Sequence, residues 1–201
     1  MAALQQNNQV MKTIFKRSVV GALFIAFLAL VPSVTAKEKT EDELIAELES
    51  AKETQVVEAL LQLEKKHPTS TKGFPKMKSL LNDPRPKVRR KAARVLGALH
   101  AEVSDDDIKA ICSLLKSTTT EEVIDGLKSL RGLKAPQAVP QITPLLKEPG
   151  RHVNIIRDAC RTLAVLGNKA VIPEIEPLLN HSNAAIKKDA QDAIYILKSK
   201  S

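Results

Sequence analysis

The 201-residue sequence contains few aromatic side chains: they make up 2% of the chain, with one Tyr and no Trp. Proteins that bind single-stranded nucleic acid rely on aromatic side chains that stack against the bases. The formal net charge of +8 would suit a nucleic acid, but stacking platforms are missing. Nucleic-acid binding is therefore the least favoured of the three functions that the sequence allows.

Short motifs of catalytic or metal chemistry are also missing. The sequence has no Gly-x-Ser-x-Gly motif, no glycine-rich phosphate loop and no pair of histidines at metal-ligand spacing. Its four histidines fall singly at predicted helix ends or turns: His67, His100, His152 and His181. We therefore expect no catalytic residues, no metal site and no cofactor.

The N-terminus has the order of a secretory signal peptide. Lys12, Lys16 and Arg17 precede an uncharged apolar run over residues 19–31, and a small-residue stretch then ends at Ala36. This run would span about 20 Å as a helix, which is less than the hydrocarbon core of about 30 Å. We predict an N-terminal extension and cleavable signal over residues 1–36, cleavage near Ala36, and a periplasmic or extracellular protein. An uncleaved anchor is the alternative.

Residues 37–201 contain a repeat. Four segments with apolar residues at i, i+3, i+6 and i+7 end in Leu pairs, at 80–81, 114–115, 145–146 and 178–179, with intervals of 34, 31 and 33 residues. Each is followed by a polar break and a second helix with apolar periodicity. The pattern predicts an all-α fold, an α-solenoid of about five helix pairs around one continuous core. The predicted units cover about 41–66, 72–99, 104–133, 136–166 and 169–198.

Proline occurs twice in the first helix of each of the last two units. Pro140 and Pro173 lie in the first helical turn, where the missing N–H costs nothing. Pro144 and Pro177 lie one turn deeper and are expected to kink the helix. We interpret these prolines as shaping the superhelix.

The sequence over residues 72–198 resembles HEAT repeats, specifically the HEAT-like repeats of phycobilisome lyases, and residues 41–66 resemble them poorly. The matching elements are an early proline, the Leu pair, Asn82-Asp83-Pro84, then Val88-Arg89 and Leu96-Gly97. The resemblance implies that the second helices line the concave side. It also implies that an Asp in the turn and an Arg six residues later brace neighbouring units, a pattern matched here only by Asp83 and Arg89.

Both cysteines are predicted to be free thiols. Cys112 matches repeat positions that we expect to face solvent, and Cys160 lies on a second helix of the next unit, so their Cβ atoms should be too far apart for a disulfide. Cys160 would be the candidate nucleophile if the chain were a lyase-type protein.

The second helices carry a row of cations on the face opposite their core residues. We call these six residues the basic row: Arg90, Arg94, Lys128, Arg131, Arg157 and Arg161. Residues 37–66 are acidic, which suits a solvated N-terminal end cap, and no comparable cap is expected at the C-terminal end. There, Tyr195 and Ile196 widen the apolar arc of the last helix, which predicts contact with a partner or a second copy.

These features favour an exported, non-enzymatic protein-interaction scaffold. Its expected partner is an acidic protein or another anionic component of the cell envelope, bound along the basic row. The alternatives are an accessory or lyase-like protein acting on a chromophore-bearing or redox protein, and a nucleic-acid binder.

Overall fold

The computed structural model describes residues 38–148 and 150–200, and from Lys39 onward the chain forms one compact unit. This part of the chain consists of α-helices, short 3-10 helices and connecting turns, with no strand. The predicted all-α solenoid is confirmed. The predicted signal peptide lies outside the described residues.

Ten α-helices of the described region form five pairs. The first helices of the pairs are α1 (Glu41–Glu47), α3 (Phe74–Ser79), α5 (Asp105–Ser113), α7 (Val139–Ile142) and α9 (Ile172–Ile175). The second helices are α2 (Glu53–Lys66), α4 (Pro86–Ala98), α6 (Thr120–Gly132), α8 (Val153–Leu166) and α10 (Ala184–Ser199). Each second helix packs against the next one, so α2, α4, α6, α8 and α10 form one layer.

The core runs without interruption through all five pairs. Leu60, Leu96, Leu130 and Leu163 are fully buried at their second-helix positions, as the apolar periodicity predicts. Burial of a leucine side chain stabilises the fold by about 1.5–3 kcal/mol. Because this one cluster of buried residues spans the unit boundaries, the pairs depend on one another for a closed core.

Four of the first helices change from α to 3-10 geometry at their C-terminal ends. The 3-10 segments are Leu80–Asn82, Leu114–Lys116, Thr143–Leu146 and Glu176–Asn180. The kinks predicted at Pro144 and Pro177 take this form, because a proline cannot donate the next α-helical hydrogen bond. The change also occurs after α3 and α5, which have no second proline. The change to 3-10 geometry is therefore a common feature of these four units. In the two units with a second proline, the 3-10 segment begins before the Leu pair, closer to the N-terminus of the helix.

The helix starts follow the sequence signals. Pro140 and Pro173 lie in the first turns of α7 and α9, as predicted. Thr40 and Glu43 form a reciprocal capping box at the start of α1, and Ser104 and Asp107 form another at the start of α5. Each box satisfies two backbone N–H groups that a helix start otherwise leaves free.

The second and third units pack against each other through a close contact between the backbones of α4 and α6. A methyl group on Gly97 of α4 would lie 2.6 Å from the Cα atom of Ser129 on α6, and one on Gly132 would lie 2.8 Å from the carbonyl carbon of Gly97. The Ser129 hydroxyl donates to the backbone oxygen of Ala93. The Nδ1 atom of His100 lies 2.7 Å from the Gly132 oxygen, so this ring nitrogen donates to the carbonyl group.

The turn before α4 is arranged differently from what the resemblance implies. The Asp83 carboxylate binds Arg85, with Nε and Nη2 at 2.8 and 2.7 Å, and these hydrogen bonds lower the pKa of Asp83. Arg85 also donates to the Ser50 and Ala51 oxygens of the first unit. Arg89 only donates to backbone oxygens of its own turn. Arg85 therefore braces the two units, in place of the expected Arg89.

Candidate functional site

The basic row lies on three adjacent helices: α4 carries Arg90 and Arg94, α6 carries Lys128 and Arg131, and α8 carries Arg157 and Arg161. The arginine side chains keep 29–45% of their surface exposed, and Lys128 is exposed as well. These helices pack in the order α4, α6, α8. The structure therefore brings the six cations together on one surface of the second-helix layer.

Three aspartates lie beside the row, at equivalent positions of successive second helices. Asp125 on α6, Asp158 on α8 and Asp189 on α10 are separated by 33 and 31 residues. Their side chains are only 14, 11 and 9% exposed. We call these three residues the aspartate ladder. Each one contacts an arginine on the preceding second helix, so the ladder crosses three unit boundaries.

The contact between α8 and α10 is the tightest of the three. Asp189 accepts a hydrogen bond from the Nε atom of Arg157 at 2.6 Å. It also accepts from Arg161, with Nε at 3.1 Å and Nη2 at 3.2 Å. One carboxylate thus holds two guanidinium groups in fixed positions.

The other two contacts are longer. Asp125 lies 3.3 Å from the Nε atom of Arg90 and 3.8 Å from an Nη atom of Arg94. Asp158 lies 3.7 Å from Arg131 and 3.9 Å from Arg161. These are ion pairs rather than hydrogen bonds, and the Nε atom of Arg90 is buried without a hydrogen-bond partner.

We group the two cations of each second helix with the aspartate of the following helix and call each group a cluster; Arg161 also contacts Asp158, the aspartate of the preceding cluster. The clusters are Arg90, Arg94 and Asp125; Lys128, Arg131 and Asp158; and Arg157, Arg161 and Asp189. Each therefore keeps a formal charge of +1. Within the described part of the chain, Lys128 has no ion pair or hydrogen bond of its own. Sequence reasoning found the cations and missed the aspartates, although the 33- and 31-residue spacing of the aspartates was a visible signal.

The series ends at α10. The positions equivalent to Arg157 and Arg161, 31 residues later, hold Lys188 and Asp192. These two pair with each other at 2.8 Å along the helix. Their neighbours at stacking positions are also mostly polar, with Lys187 and Gln191 where α8 has Ile156 and Cys160. This side of α10 is therefore largely polar, and the expected lack of a cap comparable to the acidic first unit stays a prediction.

Two large side chains remain exposed at this end. Tyr195 is 77% exposed and Ile196 is 42% exposed. The predicted self-association through α10 remains a prediction, with these two side chains as its contact residues.

Both cysteines are free thiols, and both are buried. The expected solvent exposure of Cys112 is wrong, because the residue is only 9% exposed. It lines a groove of about 450 Å³ together with Gln137 and Gln141 of the next unit. Cys160 is 0% exposed, and its burial raises the pKa of the thiol to about 12. A candidate lyase nucleophile at Cys160 is therefore both inaccessible and protonated.

No group of three His, Cys, Asp or Glu side chains within residues 38–148 and 150–200 is arranged to hold a metal ion. The helices in these ranges also lack the combination of length and apolar character that a membrane span requires.

The HEAT repeat family model matches residues 74–102, which include α3 and α4. This unit of the chain is therefore similar to a HEAT repeat. No curated protein matches the sequence of the chain. The match covers the unit whose Asn82-Asp83-Pro84 turn and Leu96-Gly97 pair carry the sequence resemblance.

Solved structures share the fold of this chain. One is the complex of CpcE and CpcF of phycocyanin lyase from Nostoc sp. PCC7120, with a TM-score of 0.68 and 23% identity over 85% of this chain and 70% of that chain. Another is a designed armadillo repeat protein in complex with the peptide (KR)4, with a TM-score of 0.59 and 17% identity over 77% of this chain and 80% of that one. At these identities the likeness concerns the fold alone.

Proposed function

We propose that this protein is a non-enzymatic interaction scaffold that binds an acidic partner along the basic row. The observation that carries the proposal is the surplus cation in each of the three clusters. The face also matches the side of the second helices that the HEAT-like resemblance assigns to the concave surface, where field lines from one sign of charge are focused.

The aspartate ladder is compatible with anion binding. A guanidinium group has five N–H donors, and Asp189 engages only three of the ten donors that Arg157 and Arg161 offer. The aspartates hold the arginines in position, which lowers the entropy cost of binding a ligand. They also reduce the net charge of the row, so that we expect moderate affinity that falls with added salt.

An accessory role in a lyase-type reaction is the second candidate. The fold likeness to the CpcE and CpcF complex of phycocyanin lyase favours it, and an accessory protein could use the same surface to hold a chromophore-bearing or redox protein. The burial of Cys160 argues against attachment chemistry at that thiol.

We also propose that the protein acts outside the cytoplasm, in the periplasm or beyond the cell, after cleavage near Ala36. The support is the sequence of residues 1–36, with its basic region, short apolar run and small-residue end. N-terminal sequencing of the exported protein should begin at Lys37. Recovery of the intact chain in membranes would contradict the proposal.

A charge reversal at Lys128 tests the binding surface. Lys128 is exposed and has no ion pair within the described region, so Lys128→Glu changes the row without breaking the ladder. Lys169→Glu is the matched control, because Lys169 is also exposed, has no ion pair with residues 38–148 or 150–200, and lies outside the second-helix layer. Both variants change the net charge equally.

The assay is fluorescence anisotropy with labelled poly-glutamate as the acidic probe. We expect Lys128→Glu to weaken binding about fivefold, because it removes one attraction and adds one repulsion, and Lys169→Glu to change it much less. Equal losses in the two variants would mean that the probe responds to total charge and that the basic row is only a solvated face.

A further inference from the structure

We propose that the acidic partner is an extended segment that presents one carboxylate at every third residue, three in all. This inference rests on the proposed function and specifies the spacing and the number of acidic residues that the basic row recognises.

The number follows from a line of three exposed cations. Arg94, Lys128 and Arg161 occupy equivalent positions of α4, α6 and α8, separated by 34 and 33 residues. Both arginines are 45% exposed, and Lys128 is exposed too. The other three cations of the row, Arg90, Arg131 and Arg157, are less exposed, at 29–31%. Each cluster thus has one less exposed arginine and one more exposed cation.

The line of three exposed cations does not continue onto α2 or α10. The equivalent position on α2 is Leu61, which is apolar and 37% exposed. The equivalent position on α10 is Asp192, which carries the opposite charge. A fourth carboxylate of the partner would meet no cation at the α2 end and would be repelled at the α10 end.

The spacing follows from helix packing. Neighbouring packed helices lie about 8–10 Å apart, so the three cations repeat at about that distance across the layer. A polyproline II segment rises about 3.1 Å per residue with three residues per turn. Its every third side chain therefore points in the same direction, about 9.3 Å apart. A β-strand presents side chains on one face about 6.6–6.8 Å apart, which does not fit.

The stoichiometry also favours single, spaced carboxylates. Each cluster has a surplus of one positive charge, which one carboxylate neutralises. A block of adjacent acidic residues would place extra negative charge beside an aspartate of the ladder. An acidic block is therefore expected to bind more weakly than the same charges distributed at the spacing of the clusters.

The test compares labelled peptides of equal composition with the full chain. The periodic peptide is (Glu-Pro-Gln)₃, and two permutations carry the three Glu residues adjacent to each other or alternating with other residues. At low ionic strength we expect the periodic peptide to bind about fivefold more tightly than either permutation, because it makes two additional ion pairs. A longer helical peptide with Glu at every seventh position is the fourth probe.

A double-mutant cycle then assigns the register. Replacement of the central Glu of the periodic peptide by Gln should remove most of the effect of Lys128→Glu, while replacement of a terminal Glu should leave that effect in place. Lys169→Glu should show no coupling to any position of the peptide.

The outcomes separate the two proposals. If all peptides bind alike and Lys128→Glu weakens all of them, the basic row binds anions without a register and the inference is overturned while the proposed function stands. Tighter binding of the helical peptide would also overturn it. If no peptide binds, or if Lys128→Glu has no effect on binding, both proposals fail.

Discussion

Asp189 is expected to hold the last two units together, and Asp189→Asn tests that role. The substitution keeps the shape of the side chain and removes its charge. The carboxylate is 9% exposed and accepts three hydrogen bonds from Arg157 and Arg161. An asparagine retains one acceptor oxygen and turns an amide group towards two cations.

The expected loss of stability in Asp189→Asn depends on how exposed Arg157 and Arg161 are. A hydrogen bond to a charged group contributes about 1.5–3 kcal/mol when it is buried, whereas an exposed ion pair contributes about 0.2–1 kcal/mol. The two arginines are 31 and 45% exposed, so the three contacts lie between these limits. We expect the free energy of unfolding to fall by about 1–2 kcal/mol, which lowers Tm by about 3–6 °C for a chain of this length.

Thermal unfolding followed by circular dichroism measures the effect, with Asp192→Asn as the control. Asp192 lies on the same helix and loses the same charge, but it pairs only with Lys188, and both side chains are more than half exposed. We expect Tm of the control to stay close to that of the wild type. A wild-type Tm for Asp189→Asn, or equal losses in both variants, would refute the idea that the ladder braces the units.

Three further predictions concern the core and the thiols. Leu163→Ala should lower the free energy of unfolding by about 2–5 kcal/mol, measured by urea denaturation, because the fully buried side chain leaves a cavity. Gly132→Ala should lower the stability of the fold, because the new methyl group would overlap the Gly97 carbonyl group, although alanine normally favours a helix. Gly126→Ala is the control and should destabilise less, because the nearest atoms there belong to leucine side chains at 3.2 and 3.3 Å. Cys160 should resist thiol reagents at pH 8 until the chain unfolds, because burial raises its pKa to about 12; rapid labelling of the native protein, located by mass spectrometry, would contradict its burial.

Periodicity was sufficient to predict the fold. The Leu pairs at 80–81 and 145–146 mark the ends of first helices, and Leu96 and Leu163 mark the core of second helices. These positions repeat because each unit must bury the same stripe against its neighbours. The turn prolines could also be interpreted locally, since Pro140 lacks only an N–H group that a helix start leaves free.

The sequence interpretation failed where a side chain's surroundings come from the next unit. Cys112 was placed on a solvent-facing side of its own helix, but the following unit supplies Gln137 and Gln141 to the groove that it lines. The aspartate ladder was missed for the same reason. Asp189 has no cation three or four residues away on its own helix. Its contact with Arg157, which lies 32 residues earlier, could therefore not be recognised from local spacing.

The Lys188–Asp192 pair has a consequence for the length of the solenoid. In every pair of neighbouring second helices from α4 to α10, one or two arginines of one helix meet an aspartate of the following helix. On α10, the equivalent positions hold Lys188 and Asp192, which pair with each other. A unit appended after α10 would find no arginine for its aspartate. A copy of residues 136–166 inserted directly after residue 166 would instead regenerate an arginine–aspartate contact at both new junctions. We therefore expect that units can be inserted before α10 without loss of these contacts between second helices.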